Sequence, residues 1–219
     1  IQQKVKDSNA QLYCLNRDYF YNDSLDGKTW DFASSGTTLK LSIGSLALDN
    51  ISTAVAAVLL SGLKVSQQAI ATGIQNAKLQ GRFEIRKIAD KTVIFDAGHN
   101  PHGVEFLLKQ LRNFLEYNKQ YTEVVAVFSM LADKDINSVV NLLKNTVLKW
   151  KIAPMAVPRA ASLDQLESAL QGETVQSYQN VQAAFQSALE ESNNNQLILV
   201  WGSFHTLEAV WEYLEHVNE

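Results

Sequence analysis

The sequence predicts an α/β fold, in which a mainly parallel sheet is flanked by helices. Three observations predict it. After Gly81, short apolar runs alternate with amphipathic stretches whose apolar residues recur at helical spacing, the order expected of strand-helix-strand units. Before Gly81 the pattern is different, with turn-rich strands followed by a pair of alanine-rich helices. With 219 residues, of which 46% are hydrophobic, the chain can bury one large core or two smaller ones.

Residues 1–43 read as short strands and turns. An apolar-aromatic run lies between Gln11 and Phe20, and Asn22, Asp23, Ser24, Asp26 and Gly27 are turn formers. A helical pair fills 44–80: Ile51, Val55, Val58 and Leu59 recur at helical spacing, Gly62 ends the run, and Ser66 caps a second helix through Ile70, Ile74 and Ala77. Residues 1–80 therefore form one portion, and a new domain spans 81–219.

In that domain, Phe83 to Ile88 predicts a strand at the sheet edge and Val93-Ile94-Phe95 a strand inside it. The helix after Pro101 carries Val104, Leu107, Leu108, Leu111, Phe114 and Leu115 on one stripe. The unit recurs at Val124 to Phe128, followed by Ile136, Val139, Val140, Leu143 and Val147. It recurs again at Leu197 to Trp201, followed by Leu207, Val210, Trp211 and Leu214. Between these, Trp150 to Ala153 reads as a strand. Two shorter helices follow, one opened by a Ser162/Gln165 capping box and one by Asn180.

Composition excludes several classes. The net charge of -4 comes from interspersed acids and bases, so no basic stripe can track a nucleic-acid backbone. The longest apolar run, Ile51 to Leu60, falls short of the about 20 residues that cross a bilayer. No apolar core of a secretion signal follows Ile1, and the missing initiator Met fits a fragment. Cys14 stands alone, which suits a reducing, cytoplasmic setting.

In a parallel sheet, ligands bind beyond the carboxyl ends of the strands, where strand-to-helix loops emerge. Three loops qualify: Asp96 to Pro101, Met130 to Asp135, and Gly202 to Thr206. Helix capping accounts for Asn100, Pro101 and Asp135, and Lys134 passes as a solvated charge. Capping does not account for Asp96 at the end of a buried strand or for His99; Ser203 stays open between site and helix cap, and His205 between site and surface. Gly27-Lys28-Thr29 is not a phosphate loop, because Asn22 stands where the first glycine is required; it reads as a hairpin turn. His99 and His102 flank Pro101 without the Cys or paired carboxylates that complete a metal set, so no metal site is expected here.

The string Leu79-Gln80-Gly81-Arg82-Phe83-Glu84, then Asp96-Ala97-Gly98-His99-Asn100-Pro101, resembles a family pattern of Gly-Arg-Phe followed by Asp-x-Ala-His-Asn-Pro. Met130-Leu131-Ala132-Asp133-Lys134-Asp135, Gly202-Ser203-Phe204-His205-Thr206 and the helix opening at Asn50 agree in the same order. The family is folylpolyglutamate synthase/dihydrofolate synthase, a relative of the Mur peptide ligases. The resemblance implies a Rossmann-like carboxy-terminal domain, preceded by the last strands and helices of a phosphate-loop ATPase domain. It implies an ATP-dependent ligase, with Mg2+, that adds L-glutamate to dihydropteroate or folates through an acyl phosphate.

By matching position, Asn50 would meet the adenine, Arg82 the phosphates and Asp96 the nucleotide, with Arg82 and His99 at the chemistry. Arg159, after Pro158, would meet the incoming glutamate together with Ser203 and His205. The chain departs from the pattern at Gly98 (Ala in the family), Ser129 (Gly) and Asp49 (Pro). It also lacks the phosphate loop and the metal-binding residues of the ATPase core, so without that amino-terminal domain it is expected to be inactive. Two rival readings remain: a stand-alone, noncatalytic nucleotide- or anion-binding domain, and a Mur-type peptidoglycan ligase.

Overall fold

The chain folds as two compact units, Ile1–Leu79 and Gln80–Glu219, in a computed structural model that describes residues 2–24, 28–44 and 46–217. The first unit opens with a short helix, Gln2–Ser8 (α1), where the sequence reading has strands and turns. Its residues are good helix formers, and Gln3 donates to Asp7 one turn on at 3.0 Å, so local propensity decides the element.

Tyr19–Asp23 (β1), Thr29–Ser34 (β2) and Thr37–Ser42 (β3) pair antiparallel in chain order. The hairpin turn read at Gly27 lies outside the described residues, although the strands beside it pair from Asp23 and Trp30 onward. Period-two alternation buries Trp30, Phe32, Leu39 and Leu41. Against them pack Ile51, Val55 and Ala56 of Leu48–Leu60 (α2) and Ile70 and Ile74 of Gln67–Asn76 (α3). Ser66 caps α3, accepting from the Ala69 amide at 3.2 Å.

The second unit is a six-stranded sheet. Its strands are Glu84–Ile88 (β4), Lys91–Asp96 (β5), Glu123–Phe128 (β6), Lys149–Ile152 (β7), Val175–Ser177 (β8) and Gln196–Trp201 (β9). They lie in the order β4-β5-β9-β6-β7-β8. Only β4, at the edge, runs antiparallel. The three-residue β8 was not legible in the sequence, since it carries no apolar run.

Both faces of the central strands are buried. Ile94, Ala126, Phe128, Leu199 and Trp201 face the helices Pro101–Tyr117 (α4), Ile136–Leu143 (α5) and Leu163–Ala169 (α6). Phe95, Val125, Val127, Ile198 and Val200 face Val181–Glu191 (α7) and Phe204–Val217 (α8). Among the described residues, no helix is long and apolar enough to cross a membrane.

Two features of this sheet are costly to alter. Lys151, in mid-strand, is fully buried, and its ammonium lies 2.8–2.9 Å from Gln176, Tyr178, Ser187 and Glu191. These hydrogen bonds tie β7 to β8 and α7, and they make burial of the charge tolerable. At the end of β9, Gly202 has φ +117°, and a Cβ there would lie 2.0 Å from the Ser129 carbonyl oxygen, a backbone atom that cannot step aside.

Lys151→Met leaves a set of acceptors without their donor and is expected to lower the unfolding free energy by about 1–3 kcal/mol in chemical denaturation. The hydrogen bond from Lys151, helped by Ser187, holds the Glu191 carboxyl below its ordinary range. A depressed carboxylate stabilises above its ordinary pKa, and the effect is lost as pH falls through the folded value. The gap between wild type and Lys151→Met should therefore narrow on acidification. Gly202→Ala is expected to cost about 3 kcal/mol or more, read as a lowered Tm.

Candidate functional site

The order of the strands opens the site. Strand β9 lies between β5 and β6, yet the helices after β5 and β6 pack on one face while α8 packs on the other. Chains leaving adjacent strands therefore diverge, and a crevice opens at the carboxyl ends. A pocket of about 180 Å³ occupies it, lined by His99 after β5, Leu131 and Lys134 after β6, and Gly202, Ser203, Phe204 and His205 after β9. All three loops singled out in the sequence meet here.

The strand end that leads into the first of these loops is organised by Asp96, the last residue of β5, which is only 4% exposed. One carboxylate oxygen accepts from the Gly98 amide at 2.7 Å and the other from the Phe83 amide at 2.9 Å. The Ala97 amide donates to the Gly81 carbonyl at 2.8 Å, and Glu84 accepts from the Gly81 amide at 2.9 Å. The segment so fastened is in a demanding conformation, with φ +69° at Gly81 and +44° at Phe83. Asp96 thus has a structural duty that the sequence reading did not assign to it: it clamps the turn carrying Arg82 onto the strand end. Burial pushes its carboxyl above the ordinary range, and the two amides and the nearby Arg82 charge pull it partly back.

Arg82 is half-buried, and its guanidinium carbon lies 4.9 Å from the centroid of the Phe204 ring. His99 is oriented by a 2.9 Å contact between Nδ1 and the Ala97 carbonyl. A carbonyl only accepts, so Nδ1 is the donor in this contact and Nε2 lies outside it. Asn100 caps α4 through the Gly103 amide at 2.9 Å, as its position before Pro101 predicts.

In the second loop, Asp135 caps α5 through Ser138, whose side chain and amide hold the carboxyl low. Lys134, read in the sequence as a solvated charge, is half-buried and edges the pocket.

Ser203 is buried, and its hydroxyl is engaged within the fold. It accepts from the Thr206 amide at 3.1 Å, shares a 2.9 Å hydrogen bond with the Thr206 hydroxyl, and lies 3.2 Å from the Met155 sulfur. His205 lines the pocket 3.4 Å from Glu208. Arg159 is not among the lining residues: its side chain is 67% exposed and sits 3.4 Å from Asp133. Its backbone joins the same region, since its carbonyl accepts from the Ala132 amide at 2.8 Å. Asn50 belongs to the first unit, exposed in the first turn of α2.

Among the described residues, no group of three or more His, Cys, Asp or Glu is placed to hold a metal ion. The arrangement is suited to anions: an ammonium and two imidazoles border one small crevice, and the Arg82 guanidinium lies over the ring of Phe204, another of its lining residues. Phe204 was missed by the sequence reading, because a phenylalanine at a helix start carries no chemical signature of its own.

The family described as "Mur ligase, glutamate ligase domain" matches residues 81–204, more than half of the chain. A dihydrofolate synthase/folylpolyglutamate synthase of Escherichia coli strain K12 is 36% identical over 196 residues, covering 89% of this chain and 45% of that protein. A solved structure of E. coli FolC in complex with DHPP and ADP has a TM-score of 0.84 at 33% identity, covering 100% of this chain and 51% of that one. A bifunctional folylpolyglutamate synthase/dihydrofolate synthase with Mn, AMPPNP and L-glutamate bound has a TM-score of 0.82 at 30% identity, covering 98% and 50%. The chain spans about half the length of the relatives it matches. It belongs to the Mur ligase family, whose glutamate ligase domain occupies residues 81–204, and the relatives that cover most of it are dihydrofolate synthase/folylpolyglutamate synthases.

Proposed function

We propose that the chain is the carboxy-terminal portion of an ATP-dependent ligase that joins L-glutamate to dihydropteroate or to folates. In that reaction a pteroate or folate carboxylate attacks the γ-phosphate of ATP, and the amine of glutamate then displaces phosphate from the acyl phosphate. The observation that carries the reading is the Arg82 guanidinium beside a crevice bordered by Lys134, His99 and His205. Every substrate of such a reaction is anionic, and phosphoryl transfer is catalysed chiefly by positioning and neutralising charge. The solved relatives with ADP, with AMPPNP and Mn, and with L-glutamate support it.

Arg82 would hold the phosphates bidentately, and Asn50 would contact the adenine. Asp96 would serve the nucleotide through the turn it clamps and through its remaining lone pairs. His99 would approach the reacting groups through Nε2. Arg159 and His205 would take the glutamate carboxylates, and Ser203 would shape that loop. Mg2+ would screen the phosphate charge, held by the phosphate-loop ATPase domain that we infer precedes residues 1–80. We read 1–80 as the end of that domain and 81–219 as the glutamate-ligase domain. The lone Cys14 suits the cytoplasm, where we place the enzyme.

Arg82→Ala in the intact protein is expected to lower turnover at saturating ATP by at least about tenfold, or roughly 1.4 kcal/mol of transition-state stabilisation. An unchanged rate removes Arg82 from the site. The chain by itself is expected to bind labelled ATP no more tightly than about 1 mM, as half of a site should. Micromolar binding by this chain alone would favour a stand-alone nucleotide-binding module instead. Glutamate addition to dihydropteroate, compared with addition to a nucleotide-sugar peptide, separates the folate reaction from that of a peptidoglycan ligase.

A further inference from the structure

Phe204 is the first residue of α8 and is 45% exposed, so burial does not explain a large apolar side chain at a helix start. Its neighbours do. The Arg82 guanidinium lies over its ring at 4.9 Å, and the Gly81 backbone packs against the same ring so closely that a Cβ there would come within 3.3 Å of it.

Three of the other four arginines are paired with carboxylates, and of these Arg86 also lies over the Phe95 and Trp211 rings. Arg17 pairs with Asp18, Arg86 with Glu84 and Arg159 with Asp133, each through in-plane N–H groups on a carboxylate. Among the described residues, Arg82 makes no such pair, although its charge is felt by the buried Asp96; its guanidinium instead lies over the Phe204 ring. A ring beneath a guanidinium restrains it by cation-π attraction without using its N–H donors.

We propose that Phe204 is a positioning residue that presents Arg82, donors outward, to the anionic oxygens of a phosphoryl group; this rests on the reading of Arg82 given above. An arginine side chain has many rotamers, and ordering it before the anion arrives removes that cost from the binding and transfer steps. The ring is itself set by the β9-α8 loop. Ser203 caps the first turn, and the Thr206 hydroxyl donates to the Ser129 carbonyl at 3.0 Å, so the platform is fixed to the sheet.

The test is a double-mutant cycle in the intact protein, measuring kcat and KM for ATP in glutamate addition. Phe204→Leu should lower kcat/KM for ATP by about threefold to tenfold, and Phe204→Tyr, which keeps the ring, should restore it to within about twofold. In an Arg82→Ala background, Phe204→Leu should change the rate by less than about twofold, because the residue through which it acts is gone. A loss from Phe204→Leu as large in that background as in wild type, or failure of the tyrosine to rescue, overturns the positioning role while leaving Arg82 in the site. No effect of Arg82→Ala itself overturns the reading beneath it. The Arg82 Nε–H proton of this chain should also show an upfield ring-current shift that Phe204→Leu abolishes, and its absence would refute the contact.

Discussion

The candidate site depends on one buried carboxylate. Asp96 lies where a carboxylate is expensive to ionise, and burial raises its pKa accordingly. Two backbone amides offset that cost, one from its own loop and one from Phe83, thirteen residues earlier. The second bond joins the turn before β4 to the end of β5, beside the bond from the Ala97 amide to the Gly81 carbonyl, and it is the one that engages Phe83, at positive φ next to Arg82. The first bond folds Gly98 back over the strand end, where the Ala97 carbonyl orients the His99 ring. Both residues that the family resemblance places at the chemistry are thus aimed by the same side chain.

Topology supplies the space into which they are aimed. Inserting β9 between β5 and β6, with its helix on the opposite face, separates the loops at the carboxyl ends and leaves the crevice. The separation is narrow at its base, since the chain turning out of β9 passes the Ser129 carbonyl at a distance that admits no side chain. Gly202 is required there by contact, independently of any ligand. The Gly98 departure from the family pattern has a similar local setting: a Cβ at that position would lie 2.9 Å from the Asp96 oxygen that its own amide engages.

Much of this was legible in the sequence because it follows from spacing. The strand and helix stripes, the capping box at Ser162 and the three polar loops are local patterns, and the sheet brings those loops together as strand polarity requires. What was not legible depends on contacts distant in sequence. Asp96 looked free for a ligand because its partner amide belongs to another strand's approach, and Lys151 looked like an ordinary strand residue because its acceptors lie on β8 and α7. Phe204 has meaning only through Arg82, which precedes it by more than a hundred residues. The short α1 and β8 escaped for a plainer reason, having no apolar period to announce them.

The two cations in these contacts show how structure and function can be told apart by hydrogen-bond accounting. Lys151 is buried with an acceptor for each of its protons, so it has nothing left to offer a ligand and its removal should act on stability. Arg82 is half-buried, its backbone fastened on both sides, its guanidinium held over an aromatic ring and, among the described residues, in no ion pair with a carboxylate. A protein that fixes a cation so thoroughly while leaving its donors open holds it for an anion that arrives from outside. The same criterion separates the histidine and serine of the crevice: the outer nitrogen of His99 is open, whereas the Ser203 hydroxyl is satisfied within its own helix turn and against Met155. Of the residues that the family pattern brings to this site, those with unmet hydrogen-bonding capacity are the ones to which chemistry should be assigned first.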